Sequence, residues 1–306
     1  MQKIVCVVGP TASGKTKLGI ALCKALDGEV VSADSMQIYR GMDIGTAKPS
    51  MEEREGVRHH LFDLVPPDEN YSVSRFVAAA DAAIAGIAAR GKLPVVVGGT
   101  GLYIDALRRG GGFAAFDADY RAALMQKSPE ELFAMLREQD PESAARLHIN
   151  DKKRVCRALE IVHATGKTIG AHDAETRAAP PRYDACMIGL TTSDRAILYA
   201  RIEARIDTML QNGLMDEIRA LQREGVPQEA TAMQAIGYKE LFRAARGEEP
   251  LEPAVARLKQ ATRRLAKRQL TWFRRDPEIH WLTLDRAEDF AHVLQASRSF
   301  VKNCGV

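Results

Sequence analysis

The sequence holds few cysteines, and those it has do not cluster. Cys6, Cys23, Cys156, Cys186 and Cys304 are five in number, widely scattered, and nowhere spaced Cys-x-x-Cys. An odd, dispersed set supports neither a zinc knuckle nor a disulfide framework, and a reducing cytoplasmic compartment is expected. Long apolar runs are missing too; none approaches the roughly 20 residues that a bilayer requires, so no membrane partner is expected. Charge of one sign is hardly in excess: 43 basic residues against 40 acidic ones leave a net +3. No global field therefore announces a nucleic acid, and any basic site must arise by local clustering. There is no internal repeat, no low-complexity segment, no Asp-Asp-x-x-Asp, no His-Arg-Asp segment of the protein-kinase kind and no apolar strand ending in Asp-Glu. These absences exclude several familiar phosphate-handling machines.

What is present begins at once. Lys3 to Val8 is a short apolar run, and Gly9-Pro10-Thr11-Ala12-Ser13-Gly14-Lys15-Thr16 follows it directly. This is G-x-x-x-x-G-K-[ST] at the end of a strand and the start of a helix, the context that gives the motif meaning. The glycines let backbone N–H groups turn toward phosphate oxygens, and the helix N-terminus adds partial positive charge. Lys15 supplies a point charge for a terminal phosphate, and the Thr16 hydroxyl is a Mg²⁺ ligand candidate. A strand leading into such a loop is also not a secretory leader. The loop predicts binding of a polyphosphate or diphosphate.

Leu18, Ala21, Leu22, Ala25 and Leu26 keep helical spacing, and Gly28 stands where a helix ends. Glu29 to Ala33 reads as a second strand running into Asp34-Ser35-Met36-Gln37. A polar loop with Gly41, Gly45 and Pro49 follows, then an alanine-rich helix over about Ser74 to Arg90. Leu93 to Val97 is continuously apolar, as a strand buried on both faces would be, and it ends in Gly98-Gly99-Thr100-Gly101. Alternating strands and helices predict a parallel sheet with right-handed crossovers, whose ligands sit beyond the strand C-termini. The phosphate loop, Asp34 and Thr100 should share one rim.

Gly110-Gly111-Gly112 punctuates the chain, and from about Phe116 to Thr176 the periodicity is helical without a convincing strand. Asp184 to Leu190 reads as a returning strand. Ser193 is expected to cap a helix through Leu210, another helix ends near Gly225, and Gln234 to Lys239 falls in a connection. A last long helix covers about Pro253 to Phe273, before a short strand from Ile279 to Leu284. The expected architecture is α/β: a P-loop parallel-sheet core, like that of nucleotide kinases, flanked by helices over 1–114 and 182–306. A helical insertion occupies 115–181.

Asp34 admits two roles, a metal ligand or helix cap, and a general base. Arg205 has no acid three or four residues away, so no helix-local ion pair explains it; a solvated surface arginine is the commoner fate. Positive charge gathers in two places: Lys152-Lys153-Arg154 with Arg157, and the acid-free run Arg257, Lys259, Arg263, Arg264, Lys267, Arg268, Arg274 and Arg275. Leu258, Leu265 and Trp272 recur there every seven residues, which suggests a buried stripe beside a basic one. So one-sided a surface suits a phosphate backbone.

With these residues in view, the chain resembles the bacterial tRNA dimethylallyltransferases (tRNA isopentenyltransferases). The resemblance covers nearly the whole chain. It rests on Gly9–Thr16, Asp34–Pro49, Tyr71-Ser72 with Phe76, Gly98–Tyr103, Asn150–Glu160, Gln234–Lys239 and Ala266–Arg274. The resemblance implies transfer of a dimethylallyl group from dimethylallyl diphosphate to N6 of the adenosine 3′ to the anticodon (position 37) of tRNAs. Asp34 matches the base. Lys15, Thr16 with Mg²⁺, Thr100 and Arg205 match the set that stabilises the leaving diphosphate; the nucleotide-type loop Gly9, Pro10, Thr11, Ala12, Ser13, Gly14, Lys15, Thr16 would hold that group. Asp34, Ser35, Met36, Gln37, Thr100, Arg121, Lys153, Arg154, Val155, Cys156, Arg157, Gln234, Ala235, Ile236, Gly237, Tyr238 and Lys239 match the tRNA contacts, and the insertion would grip the anticodon stem-loop.

The implied protein is a cytoplasmic monomer without an obligate protein partner. It departs from the family pattern in reading Gly110-Gly-Gly-Phe-Ala-Ala-Phe116, where prolines are usual, and it carries no eukaryotic-type C-terminal zinc finger. Two rival readings are a small-molecule P-loop kinase, with little use for the basic run, and a non-catalytic nucleotide-gated RNA-binding module, with little use for Asp34.

Overall fold

The computed structural model describes residues 1–110 and 117–305. Two compact units emerge, Met1–Leu107 with Tyr183–Val306, and Arg108–Arg182. The expected boundary between 114 and 115, with most of the Gly110–Phe116 departure, lies outside the described residues.

The first unit is built on a six-stranded sheet: β1 (Lys3–Val8), β2 (Gly28–Ser32), β3 (His59–His60), β4 (Leu93–Gly98), β5 (Asp184–Thr191) and β6 (His280–Thr283). The strand order is β3-β2-β4-β1-β5-β6 and every pairing is parallel. β1 is central, with Val5 opposite Val95 on one side and Cys186 on the other. Its apolar run alternates between two cores, which explains why the sequence shows no polar alternation. Ile4, Cys6 and Val8 pack with Phe76, Ile84, Ile104 and Phe273; Val5 and Val7 pack with Leu18, Leu22, Val293 and Val301. Each such large apolar side chain contributes about 1.5–3 kcal/mol on burial. The helix Phe290–Asn303, which the sequence reading missed, is anchored this way through Val293 and Val301.

A third cluster joins four helices, Arg195–Gln211, Leu214–Arg223, Tyr238–Ala245 and Leu251–Phe273, through Ile202, Ile206, Ile218, Leu241 and Leu258. The cap of Arg195–Gln211 is Asp194, whose carboxylate accepts the Ala196 amide at 2.9 Å, and not Ser193, whose own amide donates to Asp285. β3 was also missed: two histidines against Val30 and Val31 offer no periodicity to detect.

The second unit is helical, with elements Ala118–Gln126, Pro129–Gln139, Pro141–Arg146, Lys152–Thr165 and Ile169–Ala178. Its core is Leu124, Leu132, Phe133, Leu136, Val155 and Leu159. Side-chain caps start the helices; Asp140 is fully buried and accepts from both Ser143 N and Ile169 N at 3.0 Å, which joins two of them.

Candidate active site

Three loops at the C-terminal ends of β1, β4 and β2 meet on one rim, as parallel-sheet topology requires. The first is Gly9–Thr16. Gly14 sits at φ +94°, a conformation few L-residues adopt, and the helix Lys15–Leu26 starts immediately after it. The second carries Thr100, whose Oγ1 accepts the Ser35 amide at 3.1 Å, so the β4 loop holds the β2 loop. The third carries Asp34. No helix follows it, so the capping role is out; its Oδ1 accepts the Met36 amide at 2.9 Å in a tight Asx turn.

The long helix Leu251–Phe273 closes this rim. Gln269 Oε1 accepts the Thr11 amide at 2.8 Å while Gln269 Nε2 donates to Gly99 O at 3.0 Å. One residue thus bridges two strand-end loops. Trp272 donates to Asp105 at 2.9 Å and lies so close to Gly101 that a Cβ there would sit 2.3 Å from its ring.

These elements enclose a cavity of about 550 Å³. Lys15, Thr16, Asp34, Thr100 and Arg205 supply its polar wall; Ile206, Met209, Leu214, Ile236 and Leu265 supply an apolar one. The heptad stripe runs from the core to this cavity. Leu258 is buried, Leu265 is half-buried and Trp272 is 39% exposed, because the stripe belongs to a wall. Arg205 likewise corrects the expectation of a solvated arginine, since its side chain lines the cavity.

Two cations and one carboxylate share this pocket. Burial, reinforced by nearby Arg205, pushes the Lys15 ammonium down to about 7, against the opposing pull of Asp34. Burial lowers Arg205 as well, again opposed by Asp34. The Asp34 carboxyl is raised by burial, while the Met36 amide, Lys15 and Arg205 favour its ionised form. With all three ionised the pocket is cationic, and an anion would relieve the repulsion between Lys15 and Arg205.

The donors here are hard oxygens. No cluster of three or more His, Cys, Asp or Glu is present among the described residues. Thr16 faces the cavity, and among the described residues its hydroxyl has no hydrogen-bond partner. One hydroxyl and one carboxylate cannot cage a metal, yet they suit Mg²⁺, which keeps waters and takes most other ligands from substrate phosphates.

A family model described as IPP transferase matches residues 37–276, and one described as isopentenyl transferase matches residues 2–65. The chain belongs to the IPP transferase family. The tRNA dimethylallyltransferase of Acetivibrio thermocellus is 44% identical over 312 residues, spanning 100% of this chain and 99% of that protein. That of Symbiobacterium thermophilum is 52% identical over 292 residues, spanning 93% and 90%. The solved tRNA isopentenylpyrophosphate transferase of Bacillus halodurans superposes with TM-score 0.74 at 41% identity, covering 100% of this chain and 98% of that one. A eukaryotic dimethylallyltransferase captured acting on tRNA gives TM-score 0.84 at 31% identity, covering 99% of this chain and 80% of that one.

Within this IPP transferase, the residues expected to contact tRNA separate into groups. Asp34 to Gln37, Thr100 and Gln234 to Gly237 line the cavity. Lys153, Arg154 and Arg157 lie on the helix Lys152–Thr165, with Arg154 paired to Asp151 and Arg157 3.7 Å from Glu160. Lys239 is exposed. The side chains of Val155, Cys156 and Tyr238 are buried in apolar cores, which leaves only their backbone to meet RNA.

The basic run is also less bare than its sequence. Arg257, Lys259 and Arg263 pair with Glu249, Asp207 and Glu203, acids contributed by other segments. Arg264, Lys267, Arg268, Arg274 and Arg275 form no ion pair among the described residues, and Arg268 reaches the cavity.

Sequence reasoning missed Gln269 and Glu217. The Glu217 carboxylate accepts the amides of Asp43, Ile44 and Gly45 at 2.7 to 3.0 Å, together with the Tyr238 hydroxyl. It thereby fixes the loop whose Thr46 and Ala47 carbonyls hold Gln37. Its only signal would have been two distant polar motifs in need of one partner.

Proposed function

We propose that this IPP transferase moves a dimethylallyl group from dimethylallyl diphosphate to N6 of the adenosine 3′ to the anticodon of tRNAs, in the cytoplasm. What supports the reading is one cavity lined by a cationic phosphate-loop wall, a partly desolvated carboxylate and the apolar side chains of Ile206, Met209, Leu214, Ile236 and Leu265. An allylic diphosphate has the same division into a charged head and an apolar tail.

An exocyclic adenine amine is a weak nucleophile because its lone pair is delocalised into the ring. In the proposed reaction the N6 nitrogen forms a bond to the allylic carbon as the carbon–oxygen bond to diphosphate breaks. The electron pair leaves with diphosphate, and the N6 proton passes to Asp34. Lys15, Arg205, Thr100 and the Gly9–Thr16 amides meet the charge that grows on the leaving oxygens. Mg²⁺, when bound through the Thr16 hydroxyl and diphosphate oxygens, would add Lewis-acid charge stabilisation. The adenine must leave its stack to enter the cavity. The helical unit would hold the anticodon stem-loop through Lys153, Arg154, Arg157 and Arg121.

Incubation with labelled dimethylallyl diphosphate, ATP and bulk tRNA tests this. Label should appear in tRNA with release of diphosphate. Phosphoryl transfer from ATP to a small acceptor, with unlabelled tRNA, would replace this reading by the kinase.

A further inference from the structure

The five cysteines, all among the described residues, are far apart in the chain, yet the fold sets two of them side by side. Cys304 Sγ lies 2.8 Å from Cys186 Sγ across 118 positions of sequence. Cys186 is the third residue of β5, opposite Val5 of β1, and it is 3% exposed. It belongs to the core layer of Val5, Leu18, Leu22, Val293 and Val301. Cys304 packs against that layer from the end of the helix Phe290–Asn303.

The approach is held from several sides. The Cys304 amide donates to the Phe300 carbonyl at 3.0 Å, so this residue closes the last turn of its helix. The Phe300 ring stacks on His280 of β6 with centroids 4.4 Å apart, and Lys3 Nζ donates to the Gly305 carbonyl just beyond. Val293 and Val301 anchor the same helix in the core. Neither thiol therefore has to search for the other, and sulfur atoms already in contact need only a small side-chain rotation to bond.

Access to the two is unequal. Cys6, Cys23, Cys156 and Cys186 are buried, and of the five only Cys304 is partly exposed. Burial, with the Cys304 thiol beside it, pushes the Cys186 thiol up, so Cys186 keeps its proton and does not start an exchange. An oxidant arriving from solvent meets Cys304 first and finds Cys186 behind it.

We infer that Cys186 and Cys304 form an oxidant-responsive pair, which closes to a disulfide and ties the helix Phe290–Asn303 to the central sheet. A small disulfide, oxidised glutathione, is the co-reactant. The Cys304 thiolate attacks one of its sulfurs, its S–S bond breaks, and one glutathione leaves as thiolate. Cys186 then gives up its proton, attacks the Cys304 sulfur and expels the second glutathione. The two cysteines lose two electrons, and their two protons end on the two glutathione thiolates. Excess reduced glutathione reverses both steps, as suits a transient bond in a reducing compartment. The bond closes a long loop that carries Arg205, Arg268 and Gln269. It restrains the unfolded chain, and it lies toward the ends of the strands opposite the cavity rim, so the folded site is left as it was.

The reduced full-length protein, incubated with oxidised glutathione, is read by intact mass, non-reducing peptide mapping and thermal melting. None of these needs a substrate, so they stand apart from the transferase reading. The expected product is lighter by two hydrogen atoms, carries no glutathione and gives one linked peptide pair containing Cys186 and Cys304. Its Tm should rise by at least about 4 °C, and dithiothreitol should restore both mass and Tm. Cys304→Ser should show the same Tm with and without oxidant. Cys186→Ala, which keeps the exposed thiol and removes its resolving partner, should instead hold one glutathione as a mixed disulfide. A glutathione adduct that persists on the parent protein, a link to any other cysteine, or a disulfide that leaves Tm unchanged overturns the inference.

Discussion

Gln269 Oε1 accepts the Thr11 amide at 2.8 Å, so the phosphate loop is held by a helix more than 250 residues downstream in the chain. The same side chain donates to Gly99 O, and it has no other described role. Gln269→Ala removes two hydrogen bonds worth about 0.5–1.5 kcal/mol each. KM for dimethylallyl diphosphate should rise roughly fivefold to thirtyfold, with a smaller effect on tRNA affinity. A lowered melting temperature with unchanged KM would make the bridge purely architectural.

Asp34→Asn keeps the shape of the Asx turn and removes the proton acceptor. General bases contribute about 10²–10⁴-fold, so kcat should fall by that order with little change in either KM. A variant retaining kcat within about twofold removes Asp34 from the chemistry.

Arg205 faces the pocket with its charge partly desolvated. Arg205→Ala should raise KM for dimethylallyl diphosphate and also lower kcat, because the charge it meets grows toward the transition state. If tRNA affinity alone changes, Arg205 belongs to the RNA surface.

With the Lys15 ammonium depressed to about 7, diphosphate binding should be pH-dependent. A bound anion favours the protonated form and raises that value, so binding above about pH 7 takes up a proton. The Lys15 contribution is complete below 7 and weakens as pH rises through it, by up to about tenfold per unit. Calorimetry of dimethylallyl diphosphate binding at pH 8, in buffers of different ionisation enthalpy, should register this uptake. Lys15→Arg should abolish it. Equal uptake by both proteins would assign the proton elsewhere.

The rim of the site was legible because it depends on short-range pattern. An apolar run ending in a glycine-rich segment marks a strand C-terminus, and Asp34 and Thr100 stand just past two such ends. Arg205 was legible as a site residue through the family resemblance alone, and not from its own surroundings in the chain. Nothing near it in the chain opposes its charge, and the acids that do, Asp34 and Glu53, come from the far end of the sequence. The same distance hid what Gln269 and Glu217 do, since each bonds backbone groups that carry no side-chain signature. The Leu258–Leu265–Trp272 stripe has the expected period and is buried only at Leu258, because periodicity reports an apolar face without saying how much of it protein covers. Val155, Cys156 and Tyr238 show the converse: a motif carried over as a block includes the core residues that support it.

The position of the helical unit within the chain bears on how the protein is made. β1 is the central strand, and its partner β5 begins only at Asp184, after Arg108–Arg182 has been synthesised. A nascent chain released only to Arg182 therefore has β1 paired with β4 along one edge and bare along the other. An unpaired central edge invites association with other strands, and a β1–β5 pairing so distant in sequence forms slowly. The helical unit, by contrast, closes its core within a single contiguous stretch and has every contact it needs before β5 emerges. Protease digestion of ribosome-stalled chains ending before Asp184 or well beyond Thr191 would read this order. The shorter chains should yield a protected helical fragment and a digested sheet, and the longer ones should protect both. Equal protection of β1 in the two would mean that the sheet is secure without β5.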